Sequence, residues 1–504
     1  MGNLERITGY TAHWARRRLP IFVLDQRYLP LLATLLATAQ RPHAPFYTPG
    51  HRQGRGASAA LRSLLGEQAL QVDLPELPGL DNLFRPEGVI REAQELAAAA
   101  FGADQTWFLS NGSSCGLIAA MLATCGPGDR VILPRNCHQS LIAGLILSGA
   151  RPVFVQPDYD PDHDLAYGVT PAAIIRALQA YPEAKAVWVI YPTYHGIGTD
   201  LAAIARIAHR HDCPLLVDEA HGPHFVAHPD LPPPALYLGA DLVVQSSHKL
   251  LGALTQAAML HVSGSRLDRD RLQRSLQFTQ STSPNYLLLA SLDAARQQLA
   301  LEGPRLWGQT LAWARTARSQ LRALPGLAVL EAPQPQPGFT HFDPTRLTLL
   351  LRELNLTGFA ADEYLYRQQG VVCELPMLRH ITFILTPGNQ AADMERLVAG
   401  CGALATVAAP GAPQGPRLSL AALPPAPLSP REATFAAQES VPLDQAAGRI
   451  SATWLCPYPP GIPALMPGEV IMPAVIDYLQ QVQQQGGTIV GLGDRGLQDF
   501  AVVR

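Results

Sequence analysis

Lysine is nearly absent from this 504-residue chain: of 38 basic side chains only Lys185 and Lys249 are lysine, and the rest are arginine. A lysine in a chemically suggestive context therefore stands out. Charge is scarce as well. With 16% charged residues and a formal net charge of −3, the chain lacks the basic footprint of a general nucleic-acid binder. Its 47% hydrophobic content excludes a disordered chain, which needs low hydrophobicity and high net charge. The seven cysteines are odd in number and form no CxxC pair, so neither a disulfide framework nor a zinc ribbon is indicated. No apolar run is long enough to span a bilayer, and the amino terminus, MGNLERITGYTAHWARRRLP, has no secretion-signal core. Arg6 also stands where a myristoylation signal wants Ser or Thr. The expectation is a cytoplasmic protein with no membrane or nucleic-acid partner.

What is present is a repeat of short apolar runs and helical patterns between about residues 100 and 262. TWFLS (106–110), RVILP (130–134), PVFVQ (152–156), AVWVIYP (186–192), PLLVDEA (214–220), DLVVQSS (241–247) and AAMLHV (257–262) read as strands. Several are apolar on both faces, as strands between two helix layers are. Leu201–His211 follows Thr199-Asp200 and reads as a capped amphipathic helix. Repeated βα units imply an α/β fold with a mainly parallel, doubly covered sheet. Long helices over 285–325 and strands near 327–331, 346–351, 371–375 and 380–385 suggest a smaller α+β domain. The Ala- and Pro-rich stretch after it reads as a linker. The expected division is 1–45, an amino-terminal segment; 46–300, a large domain; 301–405, the small domain; 406–430, the linker; and 431–504, a carboxyl-terminal domain.

Three motifs carry chemistry. Ser110-Asn111-Gly112-Ser113-Ser114-Cys115-Gly116 joins a strand to a helix, where small residues and free helix amides suit an anion such as phosphate. A tight turn with a Ser cap is the bland alternative. Asp218-Glu219-Ala220-His221-Gly222 stands at the carboxyl end of a buried strand, the edge at which open α/β sheets bind ligands. An acid there has to meet a cation or pay for its desolvation. Ser246-Ser247-His248-Lys249 puts one of the two lysines at another strand end beside two hydroxyls and an imidazole. Lys185, before a strand in PEAKAV, reads as a solvated control. Phosphate loop, acid and lysine in this order suit pyridoxal phosphate, whose phosphate, ring nitrogen and aldehyde need those groups in turn.

With these motifs the chain resembles the ornithine/lysine/arginine decarboxylase family of fold-type I pyridoxal-phosphate enzymes. The resemblance rests on YTPGH (47–51), DLPELPGLDNLFRPEGVI (73–90), FLSNGSSCG (108–116), PRNCHQS (134–140), YPTYHG (191–196), DEAHG (218–222), QSSHK (245–249), TSPNYLLLASLD (282–293) and YPPGIPALMPGE (458–469). It implies that Lys249 carries the cofactor, that Asp218 pairs with the pyridine nitrogen, and that His138 and Ala220 pack on opposite ring faces. Ser113, Ser114, Ser246 and His248 would contact the phosphate, and His221 would lie near the phenolic oxygen. Thr282 would reach the phosphate of a neighbouring subunit, making a homodimer with shared sites. A neutral alternative is that Thr282 and Ser283 cap the helix that follows. Glu469, Asp81 and Glu76 are the expected contacts for a cationic substrate.

The chain departs from the family pattern in having Ser113-Ser114 where Thr is common, Gln139 where Lys or Arg is usual, and Asn285 in place of Ser. About 45 residues precede YTPGH, so the compact form of the family, without an amino-terminal wing domain, is expected. The implied reaction is decarboxylation of a basic amino acid: arginine, lysine or ornithine, leaning to arginine, on the way to polyamines. The competing readings are an α-oxoamine synthase or aminotransferase, and an inactive regulatory paralogue. No metal is expected: His224 and His228 lack completing carboxylate or Cys spacing, and His209 and His211 read as a solvated helix end.

Overall fold

A computed structural model describes residues 24–332, 336–351, 353–411, 423–458, 463–484, 488–492 and 496–504. Much of the expected linker (412–422) and residues 459–462 of the YPPGIP motif lie outside the described residues.

All seven expected strands enter one sheet: β1 (Gln105–Leu109), β2 (Arg130–Pro134), β3 (Arg151–Val155), β4 (Val187–Ile190), β5 (Leu215–Asp218), β6 (Leu242–Gln245) and β7 (Ala258–Val262). The order is β1-β7-β6-β5-β4-β2-β3. Only β7 runs against its neighbours; the other pairings are parallel. Side chains alternate between two cores, as the strand period of two requires. Leu215, Val217 and Val243 pack with Ile90, Ile174, Ile204 and Leu289 on one face. Leu216, Leu242 and Val244 pack with Leu117, Leu141 and Leu276 on the other. The sheet is mainly parallel and covered on both faces, as expected.

Helix Leu201–Arg210 starts as read, with Asp200 accepting from Ala203 N–H at 2.9 Å. Its end is not solvated at His209: that ring is 2.8 Å from buried Asp241, while His211 is exposed. Helix Gly112–Thr124 lies tight on the sheet because Gly116 has no side chain. A Cβ there would stand 2.6 Å from Leu109 Cδ1 and 3.1 Å from Val244 Cγ1.

One helix of 37 residues, Tyr286–Arg322, occupies the span expected to hold several. Its first half joins the core of the large sheet, and Ala314, Ala317 and Leu321 join the core of a second sheet. The expected division at residue 300 falls inside it. The second sheet is antiparallel, in the order β8 (Ala328–Val329), β9 (Arg346–Leu350), β11 (His380–Ile384), β10 (Leu375–Pro376). The strand expected at 371–375 is shorter and later than read, since Gly370, at φ 62°, is still closing the preceding helical turn. A carboxyl-terminal unit has its own core around Leu479, Phe500 and Val502.

The amino-terminal helix Pro30–Gln40 is tied to the long helix by a buried pair. Asp293 receives the amides of Leu31 (3.1 Å) and Leu32 (3.4 Å), and bonds Arg296, which donates to the carbonyls of Gln26 and Tyr28 at 2.7 Å each. Both side chains are fully buried. Asp293→Ala should therefore leave a buried guanidinium without its anion and lower unfolding free energy by about 3–5 kcal/mol in denaturant titration.

Candidate active site

The parallel strands deliver their carboxyl ends to one edge, and the polar residues gather there. At the end of β5, Asp218 is buried and accepts from Ala220 N–H at 3.1 Å. The pleat sends Glu219 away: it accepts from Ala235 N–H and Gln245 Nε2 at 2.7 Å each, and burial pushes its carboxyl up to about 8. After β6 comes the short helix Ser247–Leu250 carrying Lys249. Lys249 Nζ lies 3.0 Å from His221 Nε2 and 5.5 Å from the centre of the Tyr194 ring. Burial pulls the Lys249 amine below its ordinary range; Asp218 and Glu374 raise it and Arg346 lowers it further. Burial, Lys249 and Arg346 together drive His221 well below the usual imidazole range.

After β2, His138 caps helix Gln139–Ser148, its Nδ1 taking the Ser140 amide at 3.2 Å and meeting the Ser140 hydroxyl at 2.9 Å. An amide can only donate, so the neutral ring carries its proton on Nε2. Burial lowers the affinity of this ring for a second proton, with Asp218 opposing and Lys249 reinforcing. After β1, the Ser246 hydroxyl donates to Ser113 at 2.7 Å, and Ser114 is exposed. The residue before the helix is Asn111, and no side chain caps the first amides, so the Ser-cap alternative fails. Gln280 holds the Ser110 amide at 3.0 Å, and Gln256 holds its carbonyl at 2.7 Å. His248 is fixed through Nδ1 to the Ala257 carbonyl at 3.0 Å, leaving Nε2 for another partner.

Thr282 is exposed, beside Ser281, whose amide donates to Asn111 at 3.2 Å. Neither Thr282 nor Ser283 caps the long helix. Asn285 does, accepting from Leu287 N–H at 2.9 Å and Leu288 N–H at 3.3 Å.

The carboxylates expected to meet substrate are engaged within the fold. Asp81 accepts from the amides of Asn82, Glu87, Gly88 and Ile90 at 2.8–3.1 Å, closing the start of helix Val89–Phe101. Glu76 accepts from Asn82 Nδ2 at 2.7 Å and Leu83 N–H at 3.2 Å. Glu469 forms a buried, two-pronged pair with Arg135, one prong at 2.8 Å, and takes the Met466 amide at 3.0 Å. The carboxyl-terminal unit is thereby fixed to the loop that carries His138.

Sequence reasoning missed Tyr194, Arg346 and Glu374. Tyr194 lies in YPTYHG, so a signal existed; its ring packs on His221 at 4.2 Å between centres. The next residue, His195, meets His380 of β11 at 2.9 Å, Nε2 to Nε2. Arg346 opens β9 of the second sheet and has no local motif. It is fully buried, and its Nη2 is 3.0 Å from the His221 carbonyl and 3.2 Å from Nδ1. Behind it is Asp343, whose carboxyl burial would raise but which His224 and Arg346 hold at about 2. His224, expected to be bland, meets Asp343 at 3.1 Å.

A lysine, an acid, two imidazoles and an uncapped helix start thus share one strand edge. The family model described as Orn/Lys/Arg decarboxylase, major domain, matches residues 29–337, and that for the C-terminal domain of the same family matches 420–494. The chain belongs to the Orn/Lys/Arg decarboxylase family. It is 36% identical to the arginine decarboxylase of Bacillus anthracis over 491 residues, covering 96% of this chain and 99% of that protein. To the arginine decarboxylase of Bacillus subtilis (strain 168) it is 38% identical over 488 residues, covering 95% and 99%. The constitutive lysine decarboxylase structure of Escherichia coli shares the fold, with a TM-score of 0.82 at 21% identity, covering 99% of this chain and 84% of that one. The resemblance read from the motifs is borne out, as is the fold class. As a member of this family the chain is an amino-acid decarboxylase whose cofactor is pyridoxal 5'-phosphate.

The residues present fit that cofactor. Ser247 Oγ and Arg346 Nη1 are buried without a hydrogen-bond partner among the described residues, as groups awaiting an anionic oxygen are. The half-buried amine of Lys249 lies within electrostatic reach of Asp218, and Lys185, the other lysine, is exposed. Borohydride reduction of the loaded protein should therefore fix pyridoxyl on the Lys249 peptide; label on the Lys185 peptide, read by mass spectrometry, would refute the site.

Proposed function

We propose that this decarboxylase acts on arginine, releasing carbon dioxide and agmatine with uptake of one proton, in the cytoplasm. The observation that carries the substrate is the near-full-length identity to two proteins named arginine decarboxylase. The likeness to lysine decarboxylases supports the fold alone.

The residue roles follow from chemistry. Lys249 holds the cofactor covalently. Ser113, Ser114, Ser246 and His248, with the uncapped amides after Asn111, take its phosphate. His138 and Ala220 cover the two ring faces, His221 lies toward the phenolic oxygen, and Asp218 keeps a proton on the ring nitrogen. Bound, pyridoxal 5'-phosphate supplies an electron-poor ring that accepts the pair left when the carboxylate departs. Buried surroundings disfavour the ionised carboxylate and so favour its loss. His221 and Lys249, 3.0 Å apart, are the pair able to hold and return the proton that Cα needs. For the guanidinium of the substrate we assign Glu374, exposed and within electrostatic reach of Lys249 and Arg346, in place of Glu76, Asp81 and Glu469, which are already bonded. Assayed in parallel, arginine should exceed lysine and ornithine in kcat/KM by on the order of a hundred-fold, because groups arranged for a planar fork stay unpaired with an ammonium. Equal constants would refute the substrate.

The working unit in this reading is a homodimer with shared sites. Phe46, Leu64 and Phe278 are exposed at 92%, 79% and 80%, apolar area that a partner would cover, and Thr282 is exposed as a cross-subunit contact requires. Mixing Lys249→Ala with Thr282→Ala protein should then give, at limiting cofactor, more activity than either alone. A mixed dimer holds one doubly defective site and one intact site. Mixed dimers that form without any recovery would mean self-contained sites.

A further inference from the structure

We propose that Arg346 is a positioning residue: it fixes the proton of His221 on Nε2 and thereby holds Lys249 as a neutral amine, ready to capture the cofactor. The inference rests on the reading that Lys249 is the residue that carries the cofactor. It is carried by a chain of contacts with one consistent assignment of protons.

A guanidinium nitrogen only donates. The two hydrogens of Arg346 Nη2 are used on the His221 carbonyl at 3.0 Å and on His221 Nδ1 at 3.2 Å. Nδ1 must therefore be an acceptor, and a neutral imidazole then has its hydrogen on Nε2. That hydrogen faces Lys249 Nζ at 3.0 Å. An ammonium has no lone pair to receive it, so two donors would face each other. A neutral amine completes the contact. The opposite arrangement, with the ammonium donating to Nε2, would put the hydrogen on Nδ1 against the guanidinium.

Neither Arg346 nor the His221 ring is free to rotate out of conflict. Arg346 is fully buried, with Asp343 beside its Nε at 3.7 Å, and His221 is buried against Tyr194. The other groups facing Lys249 are Asp218 at the end of β5, His138 at its helix cap, Tyr194, and Glu374 from the second sheet. Asp218 and Glu374 favour the ammonium, while burial and Arg346 disfavour it. The tautomer decides between these opposing fields because it acts at hydrogen-bond distance. The consequence is that the small sheet, through one residue, sets the reactivity of an amine on the large sheet.

The scarcity of lysine makes the test direct. The full-length chain freed of cofactor is acetylated with limiting acetic anhydride across a pH series, and Lys249 is compared with Lys185 in the same molecule by mass spectrometry. The unmodified chain should show a lower reactivity midpoint at Lys249 than at Lys185. Arg346→Gln should raise the Lys249 midpoint by about one pH unit, a roughly ten-fold slower reaction near neutrality. His221→Asn should raise it similarly with the guanidinium still present, and the double variant should go no further than Arg346→Gln. An unmoved midpoint in either single variant overturns the proposal: movement with Arg346→Gln alone means bare charge, and movement with His221→Asn alone removes Arg346 from the account. Additive shifts in the double variant would also overturn it. Neither substrate nor cofactor enters the measurement, so a failed decarboxylation assay and a failed labelling result remain separate outcomes.

Discussion

Burying both faces of a seven-stranded sheet leaves polar side chains few places to collect. Apolar alternation fills each face, and what remains is the carboxyl edge, where chains leave the ladder and backbone groups turn outward. Asp218 closes its strand, and Lys249, His138 and the Ser113–Ser246 pair stand within a few residues after a strand end. The site is thus a by-product of double coverage: the same constraint that makes the core also assembles charge in one dry place. Dryness then acts on every member. Burial lowers the proton affinity of Lys249, His221 and His138 alike, so each gives up its proton more readily there than it would in water.

A single sheet does not finish the arrangement. Arg346 and Glu374 come from the second sheet, and the 37-residue helix packs into both cores. The contact of His195 with His380 joins the loop after β4 to β11 at the same boundary. The carboxyl-terminal unit also contributes, since its Glu469 secures Arg135, three positions before His138. Separate cores therefore converge on one edge, with buried polar contacts added to the apolar packing that already joins them.

Whatever depended on local pattern was legible in the sequence. The seven strands follow from period and apolar content, and Lys249 from its rarity and its place after a strand. Arg346 was not legible, because its meaning lies in a contact with His221 that no spacing encodes. Glu469 was misleading for a related reason: a carboxylate in a motif tail has several possible cations to meet, and here a buried arginine is the one it finds. Capping was ambiguous in the same way. Thr282, Ser283 and Asn285 can all cap, and backbone geometry selects Asn285. His209 was read as solvated from its helix alone, but its partner Asp241 precedes a strand on a different segment.

The near-absence of lysine has a consequence for loading. An aldehyde in solution condenses reversibly with any accessible amine, and on most proteins a surface full of lysines competes with the intended site. Here arginine has replaced those side chains, and a guanidinium that stays protonated is a poor nucleophile. Lys185 is the sole exposed lysine among the described residues. The surface therefore offers almost no decoy amines to an aldehyde, and with Lys249 proposed as the cofactor's amine, condensation on the outside of the molecule has almost nowhere to occur.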